Sequence, residues 1–328
     1  LGAANGVILI TTKKGKAQKP SVSFSASLRL TEPVTNHDVE DWGNYMRYDN
    51  AMARQVGMQP KYNDDELKAY ETGKWAADGV TPYNLPYHVG DDYVHFDWYD
   101  YTVKKVAVNQ NYNFSLRGGS EQISYYLGVG YSDDSSILNT DNYAYNRINL
   151  SGNVTAAITN NLTLTYTMAM RNSNQNTLAD PNIDWNIQYY ILATQPWMEP
   201  HPKGDNSHWS NTNEMMNAGA IFNDSGYAKN DTRVFNNTLD LKYNAPFLKG
   251  LTFQLSGAYD YNTLKSQTLM LKYDVYDYAT NTYAGSVKTS NEYSELWTNN
   301  TRLYARAQAN YNKQFGKHNI AATLAAEV

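Results

Sequence analysis

The residues best suited to recognition chemistry are aromatic: Trp185, Tyr189, Tyr190, Trp197 and Trp209, all within one long segment between regular elements. Sugars present C–H faces that stack on such rings, so these five are candidate substrate-binding residues; packing of the segment on itself is the competing reading. Asp91, Asp92, His95 and Asp97 offer oxygen and nitrogen donors near one another, but no EF-hand spacing accompanies them, and a solvated acidic loop is the simpler expectation. His201 and His208 lie seven residues apart, a spacing that no zinc signature uses. Nucleophile-elbow, His-Glu-x-x-His and P-loop patterns are absent, and the adjacent pairs Asp64-Asp65 and Asp133-Asp134 would point apart on an extended chain. The sequence thus predicts no catalysis, no resident metal and no cofactor. Lys13, Lys14, Lys16 and Lys19 form a basic cluster, but a net charge of -5 argues against a nucleic-acid footprint.

The elements that must position these residues read as strands. Val22, Phe24, Ala26, Leu28 and Leu30 alternate with serines, the period of a strand with one apolar face. Val108, Tyr112, Phe114 and Leu116 alternate with Asn109, Asn111, Asn113 and Ser115. Ile148, Leu150 and Val154 stand opposite Arg147, Asn149 and Asn153, and Leu162 to Met170 opposite Thr163 to Arg171. With 122–131 and less regular stretches at 233–243, 251–261, 302–312 and 319–328, nine strands are expected. Each runs to about ten residues, against a usual ~5–6 in globular proteins. Ten residues at ~3.3 Å, tilted by ~45°, rise ~24 Å, the height of the apolar band of an outer-membrane barrel.

Connections sharpen this. Short ones near 118–121, 157–161, 244–250 and 313–318 alternate with long ones over 31–105, 133–145, 173–232 and 262–301. Tight periplasmic turns and long outer loops produce that asymmetry. The predicted fold is therefore all-β: an antiparallel transmembrane barrel portion with short helices in its outer loops, at 36–57 and 183–194. Asn109, Asn113, Arg147, Asn149, Arg171 and Arg306, together with Asp240 and Lys242, are expected to line the lumen. Nine strands cannot close in lipid, so a portion of a larger barrel is expected. A soluble carbohydrate-binding β-protein or a surface adhesin is the alternative.

Leu1-Gly2-Ala3-Ala4-Asn5-Gly6-Val7-Ile8-Leu9-Ile10-Thr11-Thr12-Lys13-Lys14-Gly15-Lys16 resembles the end of the plug domain in SusC/RagA-type TonB-dependent transporters, with Gly2 where that motif often has Arg. Asp97-Trp98-Tyr99-Asp100, Phe114 to Tyr126 across Gly118-Gly119, and Arg147-Ile148-Asn149-Leu150 resemble the same family's first barrel strands, although Ser135-Ser136-Ile137 departs from its pattern. The resemblance implies a 22-stranded barrel, with residues 1–19 ending the plug and 20–328 beginning the barrel. It further implies energisation by TonB, a SusD-like surface lipoprotein as lid, oligosaccharide or peptide as cargo, and residence in the outer membrane.

Overall fold

The computed structural model describes residues 13–34, 42–64, 67, 96–179, 189, 191–192, 194, 199–212, 217–278 and 280–328. Its main body is one antiparallel sheet in which every strand pairs with its neighbours in chain order. The nine strands are β1 (Gln18–Thr31), β2 (Ala107–Gly119), β3 (Ile123–Ser135), β4 (Ala144–Ala157), β5 (Leu162–Thr177), β7 (Gly226–Asn244), β8 (Leu251–Met270), β11 (Glu292–Phe315) and β12 (His318–Glu327). A second sheet of three short strands joins β6 (Trp209–Ser210), β9 (Tyr273–Tyr276) and β10 (Tyr283–Val287). Among the described residues no helix is long and apolar enough to cross a membrane.

Register makes the alternation two-dimensional. Phe24 pairs with Phe114, Phe114 with Val129, Val129 with Leu150 and Leu150 with Met170, all on one face. The same line continues through Phe235 to Tyr261. Below it lie Tyr166 with Leu239, Leu164 with Leu241, and Leu255 with Ala307. This face is exposed: Phe24 is 67% accessible, Leu255 56% and Leu303 76%. Nothing among the described residues covers that much apolar surface, so its natural solvent is hydrocarbon. From Leu251 to Tyr261 on β8, ten steps of ~3.3 Å tilted by ~45° rise ~24 Å. The one polar residue well inside the belt, Asn237, accepts the Tyr166 hydroxyl at 2.6 Å.

On the other face polar side chains crowd together, as on the inside of a curved sheet. Asn109, Ser132, Asn153 and Ser173 are each buried. Asn109 donates to the Thr31 hydroxyl (3.0 Å), Asn153 to the Thr167 hydroxyl (2.9 Å), and Thr155 and Thr165 share a hydrogen bond of 3.2 Å.

Turns at one end are tight. Between β2 and β3, Ser120 N–H donates to the Ile123 carbonyl at 2.7 Å, and Gly119 enters the turn at φ +145°, where a Cβ would come within 2.3 Å of that carbonyl oxygen. Glycine is needed there for both reasons. The opposite end carries the long connections, which differ from expectation in two ways. β5, β7, β8 and β11 run well past the apolar belt into segments expected to be loop, because cross-strand amide and charge pairs continue the ladder there. The three-stranded sheet was also not expected; its strands have two to five residues, too short to show a period.

Helix α1 (Trp42–Gln55) falls inside the expected 36–57. Its buried Asn50 accepts the Lys61 and Tyr62 N–H groups (both 2.9 Å) and donates to the Tyr62 carbonyl (2.6 Å), clamping the next turn beneath Met46. Of the expected helix 183–194, Tyr189, Ile191 and Leu192 are described and are helical, and Thr194 is a buried bend; the rest lies outside the described residues.

Candidate functional site

The long connections meet in a second hydrophobic core beyond the belt. Helix α2 (Trp98–Thr102) supplies Trp98, 1% exposed; the β5–β7 connection supplies Leu178 and Ile191; helix α3 (Ala218–Asn223) supplies Ile221 and Phe222; and β9 supplies Tyr273 and Val275. Ile137 and Leu138 of the β3–β4 connection pack against them. Four connections thus form one body rather than separate loops. Asp97 caps α2, its carboxylate accepting the Asp100 N–H at 2.9 Å. Asp91, Asp92 and His95 lie outside the described residues.

Asn217 holds this body together. It is fully buried, accepts the Gly219 and Ala220 N–H groups that open α3, and donates to the Pro200 and Ser210 carbonyls at 2.8 and 3.0 Å.

Of the five aromatic candidates, Trp185, Tyr190 and Trp197 lie outside the described residues. Tyr189 is 48% exposed on its helical turn. Trp209 is engaged: His201 stacks on its ring at 4.5 Å, its indole N–H donates to Asp224 at 2.5 Å, and Gly219 leaves room at its edge.

The two histidines serve packing. His201 Nδ1 lies 2.7 Å from the His208 carbonyl and therefore carries the hydrogen. His208 stacks on Tyr276 at 3.9 Å, with its Nδ1 facing Asp205 (2.9 Å) and Asn281 (3.1 Å). Hydrogen bonds from Ser207 and then Asn281 hold the Asp205 carboxyl well below the usual carboxylate range, with the neighbouring imidazole a smaller contribution.

The eight polar-face residues singled out in the sequence share one face. Asn113 sits between Ser25 and Gly130, Asn149 between Gly130 and Arg171, and Arg147 between Ser132 and Ser173. Arg306 pairs with Ser256 across the sheet, and Asp240 accepts from Ser256 and Gln254. The Nε atoms of Arg147 and Arg306 are buried without a partner among the described residues. In β1 to β4 the face is lined by serine, glycine and asparagine, leaving a recess of about 400 Å³ bordered by Ser23, Ser25, Asn113, Tyr126, Gly128 and Ser151. The sequence suggested the polar lining but not the recess, which needs register to bring small residues of four strands together.

Lys13 reaches that recess. Gly15, two residues on, lies against the backbone of β3, where a Cβ would meet Tyr125 N at 2.3 Å. Gly15→Val must lift the 13–17 segment off the strand, at about 1–3 kcal/mol for overpacking. Urea unfolding of the full-length protein should show a lowered midpoint; a midpoint equal to wild type would mean that the segment is not seated there.

No family model matches the chain. It is similar to the TonB-dependent receptor SusC of Bacteroides thetaiotaomicron, with 31% identity over 142 residues, 43% of this chain and 11% of that protein. In structure it is similar to a chain of the RagAB peptide importer in its closed-closed state (TM-score 0.70, 18% identity, 99% of this chain and 36% of that one). A second structure, of the RagAB peptide transporter, gives TM-score 0.68 at 16% identity, again over 99% and 36%. These likenesses show the fold, and this chain spans about a third of the length of those it resembles.

Proposed function

We infer that this chain, a homologue of the SusC/RagA-type receptors and part of an integral outer-membrane β-barrel, serves TonB-dependent uptake of nutrient oligomers. The observation that carries the reading is the continuous apolar belt across all nine strands, in a sheet that superposes along 99% of its length on a chain of a peptide importer. A membrane-spanning sheet whose inner face is polar and whose outer connections are built into a core has the parts of a gated receptor. The same relatives are transporters, and catalysis is no part of the proposal.

In this reading residues 1–19 end the plug and 20–328 begin the barrel. Residues 1–12 lie outside the described residues; the seating of Gly15 on β3 supports a plug exit that runs along the inner wall. Asn109, Asn113, Arg147, Asn149, Arg171 and Arg306 line the lumen. Two arginines with buried, unpartnered Nε atoms are suited to meet plug carbonyls or passing cargo. The wall is rich in amides and hydroxyls, with few charges of both signs, which suits a neutral oligosaccharide or a mixed peptide better than a strongly anionic chelate. A peptide is what the RagAB importer carries by its name. Exposed Tyr189 belongs to the outer surface proposed to meet cargo, and Trp185, Tyr190 and Trp197 are proposed as cargo contacts on their residue type; Trp209 contributes by packing.

A surface lipoprotein of the SusD type is the proposed lid, docking on the outer core. Purification of the full-length protein from its native membrane in mild detergent should bring that lipoprotein down, and deletion of the TonB system should abolish uptake. Absence of the lipoprotein from the purified protein, together with unchanged uptake after TonB deletion, would overturn the proposal. A soluble carbohydrate-binding protein would instead leave the membrane without detergent.

A further inference from the structure

On β5, β7 and β8 the apolar run of the outward face ends at Met170, Phe235 and Tyr261, and what stands immediately above them on the same face is of different chemistry. Two residues beyond Phe235 along β7 comes Arg233, and six beyond comes Lys229. At ~3.3 Å per residue and a tilt of ~45°, these stand ~5 and ~14 Å above the belt, bracketing a headgroup layer. Arg233 is exposed and makes no ion pair among the described residues. Lys229 lies over the Tyr227 ring, at 4.2 Å.

On β7 and β11 two carboxylates, Asp231 and Glu295, share the collar. Glu295 is already engaged by Trp297, Tyr293, Gln267 and Lys265. Asp231 stands directly across the ladder from Lys265. Among the described residues neither Arg233 nor Lys229 makes an ion pair, although Asp231 stands between them on the same face.

The amides beside them point to a second component. Asn172 pairs across the ladder with Arg233, and Asn176 with Lys229. Each holds a buried Oδ1 that accepts no hydrogen bond. An orphaned buried acceptor costs about 1–3 kcal/mol, so both sites favour a ligand that brings hydroxyl or amide hydrogens. Cations alternating with acceptors demand a ligand that carries phosphate and donors together.

We propose that this collar binds the phosphorylated sugar headgroup of an outer-leaflet glycolipid. Arg233 and Lys229 take phosphate, Arg233 through its two-pronged guanidinium, while Asn172 and Asn176 accept hydrogens from the sugar. A glycerol phospholipid would satisfy the cations and leave the amide oxygens without donors. The inference rests on the outer-membrane reading above, since height above the belt is what places these residues among headgroups.

The test uses the full-length transporter, stripped of lipid in detergent and examined by native mass spectrometry. The probes are bisphosphorylated lipid A, the same lipid after phosphatase treatment, phosphatidylglycerol and inorganic phosphate. Lipid A should be retained over its dephosphorylated form. Arg233→Gln with Lys229→Gln should lower retention at least fivefold, and Asn172→Ala with Asn176→Ala should erase the preference for lipid A over phosphatidylglycerol. Should the double charge variant fold poorly, Lys229→Gln alone, outside the belt, should lower retention about twofold. Retention equal to wild type in the charge variants would overturn the proposal, as would equal binding of phosphatidylglycerol by the wild type. Displacement of lipid A by millimolar phosphate would also overturn it, by showing a free-anion site. TonB-dependent uptake measured on the same proteins separates the two readings: intact uptake without glycolipid binding defeats this inference alone.

Discussion

Replacing Leu239 by arginine should destabilise the full-length barrel by about 2–4 kcal/mol, the cost of a cation near the middle of the apolar band. Leu239 sits between Tyr166 and Gly257 on the exposed face, 49% accessible, five residues into β7 from its tight turn. No acidic residue flanks it across the ladder to neutralise an arginine. Its sequence neighbour Thr238 lies between Thr167 and Ala258 on the polar face, where an arginine would meet water. Thr238→Arg should therefore cost far less. Urea unfolding in lipid vesicles reads both. Equal costs at the two positions would mean that the faces are not divided between lipid and water.

Asn217→Leu is expected to cost the outer core about 3–5 kcal/mol. The helix cap is worth about 1 kcal/mol, and each buried carbonyl left without a donor about 1–3 kcal/mol. The carbonyls concerned belong to buried Pro200 and Ser210, so water cannot replace the lost amide without entering the core. Because the core lies beyond the belt, its loosening should leave the sheet intact. Protease added to whole cells should cleave the 178–225 connection much faster in the variant, while the β-sheet signal of the purified protein stays at wild-type level. Wild-type resistance would show that the connection is held by something other than Asn217.

Strand count, order and face were legible in the sequence for a physical reason. In a belt facing lipid, every second residue answers to a single demand, so Val108 to Leu116 or Leu251 to Tyr261 announce themselves. Short turns were legible through Gly118-Gly119 and Asn160-Asn161. Beyond the belt that demand lapses. Asn172, Asn174 and Asn176 continue β5 with amides where the apolar alternation has stopped, and only pairing with β4 and β7 shows that they are strand. The outer core was illegible because its members, Trp98, Leu178, Phe222 and Val275, come from three separate connections and have no period in common. Asn217 and Gly15 gave no signal at all: one acts through hydrogen bonds to backbone distant in the chain, the other through the space its missing side chain leaves.

The claim on which the whole account turns is that one face of this sheet meets lipid and the other water. Single-cysteine variants Leu239→Cys and Thr238→Cys, made in the cysteine-free chain within the full-length protein, test it at adjacent residues. In native membranes a membrane-impermeant maleimide should label Thr238→Cys, once the plug is loosened with urea. A bilayer-soluble paramagnetic quencher should reach a fluorophore at Leu239→Cys and leave one at Thr238→Cys unaffected. The reverse pattern, or labelling of both positions by the aqueous reagent, would contradict the barrel.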